Sequence, residues 1–212
     1  MQCRTTSESS SQGKKPSIST PGTGAGRVHR YHQSRRHLWL LTGPTGCGKT
    51  TVAQYLANAL QMPYVEGDSY HPQANIDKMS AKTPLTDADR WDWLTELRKQ
   101  CNSRIGDGAD MVVMTCSALK LKYRDVLRVA AYYNRSISVH VLFLDAPEEV
   151  LVKRVAERKG HFMGASMVKS QFEILELPQK DETDAIIIDA SQDIEHVQRD
   201  ALEKVKAILA AV

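Results

Sequence analysis

Apolar positions along this 212-residue chain alternate between two rhythms. Short, nearly continuous apolar runs at His37–Thr42, Pro63–Val65, Met111–Thr115, Ser138–Leu144 and Ala185–Asp189 have the length and character of strands buried on both faces. Between them, apolar residues recur at steps of three and four. Val52, Ala53, Leu56 and Leu60 predict a helix over Thr50–Leu60, and Ile194, Val197, Ala201, Val205 and Ile208 predict a terminal helix over about Gln192–Ala211. Pro72, suited to the first helical position, opens a short helix to about Met79. Asp87 is read as the N-cap of a helix running through Arg104, and Lys120–Ala131 as another helix. Pro147 opens one more, with Val150, Leu151 and Val155 inward, that stops at Gly160. Strands alternating with helices predict an α/β fold: three α/β/α layers around a parallel sheet. No internal repeat is visible.

Residues 1–36 break both rhythms. They are rich in Ser, Thr, Gly and charge, have few aliphatic side chains to bury, and are expected to be a disordered extension of a folded domain spanning 37–212. The extension also explains the formal charge of +3: residues 1–37 hold seven basic side chains against Glu8, leaving 21 basic and 24 acidic residues in 38–212. The folded part is thus mildly acidic, which speaks against nucleic acid as a partner. An Arg- and Ser-rich, acid-poor start also fits a mitochondrial transit peptide, but it lacks the apolar face of a targeting helix. No apolar run approaches the ~20 residues that span a bilayer, so no membrane partner is expected. Cys3, Cys47, Cys101 and Cys116 form no C-x-x-C pair, and a reducing, cytoplasmic setting is the simplest reading.

The first strand runs into Gly43-Pro44-Thr45-Gly46-Cys47-Gly48-Lys49-Thr50, followed by Thr51 and the first helix. This matches G-x-x-x-x-G-K-[ST] at every fixed position, between a strand and a helix as a phosphate-binding loop requires. Its glycines let consecutive N–H groups surround a phosphate, the helix adds its positive end, and Lys49 adds a full charge. Thr50 offers a hydroxyl to Mg2+. A nucleoside triphosphate with Mg2+ is therefore the expected ligand of this loop. A guanine-reading N/T-K-x-D is absent, since no Lys is followed two positions later by Asp.

A small kinase also needs an acceptor site and a closing lid. Asp68 directly follows the second strand and is placed to accept the acceptor hydroxyl's proton, with Glu66 positioning Mg2+ through water. The rival reading makes Gly67-Asp68 a strand-ending turn. His71, Asn75 and Lys78 share one side of the next helix, as donors suited to a polyhydroxylated anion. Arg90 is a planar fork for a carboxylate or an exposed helix partner. Trp91-Asp92-Trp93 reads as helix packing rather than sugar stacking, Cys116 as a small buried residue rather than a reactive thiol near the site, and Tyr123 and Asp125 as structural. Ser117 and Lys120 lie just past the third strand, with Arg124 one turn further on.

Several blocks together resemble the gluconokinase family: Gly67-Asp68 with His71-Pro72 and Asn75, Lys78-Met79, Pro84 to Arg90, Cys116 to Lys120 with Tyr123-Arg124-Asp125, Arg158 to Phe162, and Gln171 to Glu176. They recur in order over nearly all of 38–210. The resemblance implies ATP-dependent phosphorylation of D-gluconate at its 6-hydroxyl, a P-loop kinase fold with a parallel five-stranded sheet, a lid over about 158–178, and commonly a homodimer. By similarity to related small kinases, Arg154 stacks on adenine, Arg158 reaches the transferring phosphoryl group, and His161 and Gln171 belong to the lid; the plain alternative for each arginine is a solvated helix end. Lys82 stands where the family often has glycine. Shikimate kinase and a non-catalytic nucleotide-dependent binding protein are the competing functions.

Overall fold

The computed structural model describes residues 35–81, 83–157 and 165–211. Residues 1–34 of the expected extension, Lys82, Arg158 and His161 lie outside this set, as does the first part of the expected lid, whereas Arg36, placed in the extension, belongs to the first strand.

Five strands form one parallel sheet: β1 (Arg36–Thr42), β2 (Tyr64–Glu66), β3 (Met111–Thr115), β4 (Ile137–Asp145) and β5 (Ala185–Asp189), in the order β2-β3-β1-β4-β5. Central β1 pairs on one side with β3 (Leu38 opposite Val112) and on the other with β4 (Leu38 opposite Val139). Side chains alternate across β1. Trp39 and Leu41 enter one core with Val52, Leu56, Leu151, Val197 and Val205, while Leu38 and Leu40 enter a second with Trp93, Leu94, Leu97 and Leu127. This two-sided burial is why the strands read as unbroken apolar runs.

The helices are α1 (Lys49–Leu60), α2 (Gln73–Ser80), α3 (Asp87–Gly106), α4 (Leu121–Tyr133), α5 (Glu148–Glu157), α6 (Ala165–Glu173) and α7 (Ile194–Ala210). The expected α/β/α order is present, with two additions. A 3-10 turn, Gly67–Tyr70, follows β2, and α6 occupies part of the glycine-interrupted stretch expected to be lid. Each is too short for its periodicity to register in a sequence window.

One cap differs from expectation. Thr86, not Asp87, is the N-cap of α3; its hydroxyl accepts from the Asp89 N–H while Asp89 reaches back to the Thr86 N–H. A Thr three residues before an acid forms this reciprocal pair better than an acid can alone. Asp87 is thereby freed to gather cations. Among the described residues no helix is long and apolar enough to cross a membrane.

Candidate active site

The sheet order reverses direction about β1, so the loop leaving its carboxyl end opens into the crevice where ligands bind in such folds. That loop is Gly43–Gly48. Gly43 has φ 138°, and a Cβ there would meet the Leu144 carbonyl oxygen at 2.7 Å, so only glycine fits against β4. Gly48 caps α1 in the left-handed region, aiming the helix start at the loop's centre. Lys49 Nζ lies 3.0 Å from both the Gly43 and Pro44 carbonyl oxygens, folded across the loop it serves. Cys47 is fully buried in the core beneath the loop.

A cleft of about 170 Å3 is lined by Thr45, Lys49, Thr50, Glu66, Asp68 and Thr115, with further loop residues and Cys116. A larger cleft, about 370 Å3, is bordered by Tyr70, Pro72, Trp93 and Glu96 and contains no phosphate-loop residue. Of these two clefts, the smaller joins residues of the Gly43–Gly48 loop with Lys49 and two carboxylates.

Glu66 is held tightly there. Its Oε1 accepts from Thr115 Oγ1 (2.6 Å), and its Oε2 accepts from Thr50 Oγ1 (3.0 Å) and the Tyr64 hydroxyl. Burial works against its charge, but these three donors outweigh burial and hold Glu66 below the usual carboxylate range. Tyr64 is pushed up to about 12, by burial first and the Glu66 carboxylate second. A charged carboxylate joined to the Thr50 hydroxyl offers hard oxygen donors of the kind Mg2+ accepts while keeping most of its waters.

Asp68 sits exposed on the 3-10 turn. The turn presses against β3: a Cβ on Gly67 would meet the Thr115 carbonyl oxygen at 2.0 Å, and the Gly67 N–H donates to Thr115 Oγ1 (3.2 Å). His71 stacks on Trp93, ring centroids 4.0 Å apart, and its pKa is lowered, chiefly by burial. Thiol Cys116 is fully buried and pushed up to about 12 by desolvation, matching the small buried residue expected from the sequence.

The expected acceptor donors are met by acids of α3. Lys78 Nζ lies 2.6 Å from Asp89 Oδ1, and Lys120 Nζ lies 3.3 Å from Asp87 Oδ1. Lys122 and the Tyr123 hydroxyl also reach Asp87, whose carboxyl they hold well below its ordinary range. Arg90 donates to the Thr86 (3.1 Å) and Leu85 carbonyls, and its guanidinium lies 5.5 Å from the Tyr123 ring centre. Asn75 is buried, with its amide nitrogen committed to the Asp89 carbonyl oxygen (2.7 Å). The Ser117 carbonyl accepts from the Thr42 hydroxyl and the Gly43 N–H, bracing the phosphate loop.

Arg124 is a correction. It is fully buried, its Nε and Nη2 engage both Glu182 oxygens at 2.7 and 2.6 Å, and its Nη1 donates to the Ala118 and Glu176 carbonyls. With its donors filled inside the protein it has nothing to offer a substrate. Helical spacing from Lys120 placed it near the site but could not say which way its side chain turned. Gln171 lies at the phosphate loop, where its Oε1 accepts from the Thr45 N–H at 2.6 Å. Arg154 bonds the Ala190 (2.6 Å), Ser191 (3.2 Å) and Gln192 (2.7 Å) carbonyls, tying α5 to the loop after β5.

Residues 38–177 match the family model of an AAA domain. The probable gluconokinase of Schizosaccharomyces pombe is 41% identical over 177 residues, covering 83% of this chain and 91% of that protein. The chain belongs to the gluconokinase family. The thermosensitive gluconokinase of Escherichia coli is likewise 41% identical, over 80% of this chain and 88% of its own length. A crystal structure of a gluconokinase from Sinorhizobium meliloti superposes with a TM-score of 0.73 at 37% identity, covering 84% of this chain and 97% of that one. Family membership makes the molecule an ATP-binding phosphotransferase acting on a small molecule.

Sequence reasoning missed Tyr64, Thr115 and Trp93 at this site. Thr115 was available as the last residue of a strand ending at the ligand edge, and Tyr64 as the residue two before Glu66 on the same strand face. Trp93 carried no signal beyond that of a core aromatic.

Proposed function

We propose that the protein transfers the γ-phosphoryl group of ATP to the 6-hydroxyl of D-gluconate, giving 6-phospho-D-gluconate and ADP. The observation carrying this reading is that Asp68 and the phosphate loop share one cleft in a chain of this family. Phosphoryl transfer demands positioning and charge neutralisation more than covalent chemistry. Loop amides and Lys49 hold the phosphates. Thr50 and, through water, Glu66 would hold Mg2+, which would supply positive charge against the phosphates of ATP. Asp68 takes the proton of the attacking hydroxyl and orients that oxygen for in-line attack. His71, Lys78, Arg90 and Lys120 receive the anionic, hydroxylated acceptor, with Asp87 and Asp89 holding the cations in place until it binds. Arg154 orders the loop against which adenine rests, and Arg158 and His161 act from the lid. Closure of that lid over 158–178 excludes water and limits ATP hydrolysis. The working form is a homodimer.

ADP release with ATP and Mg2+ against gluconate, other sugar acids, shikimate and nucleoside monophosphates tests the reading. Release dependent on gluconate is expected. Preference for shikimate, or release independent of any acceptor, contradicts it.

A further inference from the structure

Trp93 sits on α3, 3% exposed, away from the phosphate loop in sequence and absent from the expected site. It nevertheless makes two directed contacts with the acceptor turn. Its indole N–H donates to the Gly67 carbonyl oxygen at 2.8 Å, inside the protein. Its ring face stacks on His71, with centroids 4.0 Å apart and planes 19° from parallel. Gly67 is gripped on its other side by Thr115, whose hydroxyl accepts from the Gly67 N–H while donating to Glu66. Gly67, the residue immediately preceding Asp68, therefore has its N–H fixed by β3 and its carbonyl fixed by α3.

We propose that Trp93 is a positioning residue for phosphoryl transfer. Its N–H sets the peptide plane that aims Asp68, and its ring face sets the orientation of His71 toward the acceptor. The proposal rests on Asp68 being the proton acceptor assigned above. Packing alone would ask only for a large apolar ring at this position, and phenylalanine would serve. Setting a peptide plane asks for a donor at the indole's 2.8 Å reach, which phenylalanine lacks. Small displacements of reacting groups are costly, because transfer depends on alignment.

The experiment compares wild type, Trp93→Phe and Trp93→Leu in the full chain by steady-state kinetics and by amide hydrogen exchange. Trp93→Phe keeps a ring for His71 and removes the donor. It is expected to lower kcat about tenfold with the KM values for gluconate and ATP held within about twofold, and to speed exchange in the 66–71 segment but not in 38–42. Trp93→Leu, which also removes the stacking face, is expected to raise the gluconate KM in addition. The proposal is overturned if Trp93→Phe keeps wild-type kcat, if exchange at 66–71 is unchanged, or if exchange rises equally throughout the sheet, the mark of general destabilisation. The exchange arm needs no acceptor. A wild-type enzyme inactive on gluconate therefore refutes the acceptor reading, while faster exchange confined to 66–71 still supports the positioning of this turn.

Discussion

Asp68 carries the sharpest claim at the scale of single residues. An amide in its place keeps the shape and loses the capacity to take a proton, so Asp68→Asn should lower kcat by about 10²-fold or more, with ATP affinity near that of wild type. Steady-state kinetics together with an ATP-binding titration checks this. Lys49→Ala should instead weaken ATP binding and turnover together, because Lys49 belongs to the phosphate loop. The strand–loop–helix geometry around Gly43, Lys49 and Thr50 was legible in the sequence. It is local, set by one loop between one strand and one helix. Arg124 was not, because side-chain direction depends on a partner, Glu182, 58 residues away. Trp93 was hidden for the same reason: its meaning lies in the Gly67 carbonyl, 26 residues earlier.

Among the elements, α4 and the segment after α6 are joined by a buried charge network. Arg124 and Arg128 both bond Glu182, and Arg128 also bonds Asp184 and Asp125. Despite burial, the two arginines hold Glu182 down at about 2. The same segment is pinned by the Glu176 N–H to the Leu119 carbonyl and by Glu176 Oε2 to the Leu121 N–H. Breaking a buried pair strands the remaining charge at a cost of about 3–5 kcal/mol. Arg124→Ala should fall toward the lower end, since Arg128 still reaches Glu182, and a shift in the urea midpoint at constant slope measures it. The strands and most helices were legible because burial on two faces, or on one stripe, writes itself into apolar spacing. The 3-10 turn and α6 were not, being too short to show a period. The Thr86 cap was missed because Asp87 satisfies the same local preference.

For the whole molecule, a histidine pair, His37 buried and His140 half-buried, links stability to pH. His37 and His140 are 2.9 Å apart between β1 and β4, with His140 stacked on Trp39. Burial, then the neighbouring His37, lowers the pKa of His140 to about 4, although Asp184 opposes the shift; burial and Arg35 lower that of His37. The folded state therefore resists protons that the unfolded chain accepts near the ordinary value of 6.5. Stability from this pair is complete above that value and declines as pH falls toward about 4. Urea midpoints should drop between pH 7.5 and pH 5, and His140→Gln should flatten that dependence; an equal drop in the variant would remove the pair as the cause.

The molecule's activity is tested most directly by the 31P NMR spectrum of the product formed from ATP, Mg2+ and D-gluconate. Transfer to the 6-hydroxyl places phosphate on a primary carbon, whose two protons split the new phosphorus resonance into a triplet. A triplet appearing with ADP, and absent without gluconate, is the expected result. A doublet, from a secondary hydroxyl, or inorganic phosphate alone would contradict the assigned chemistry.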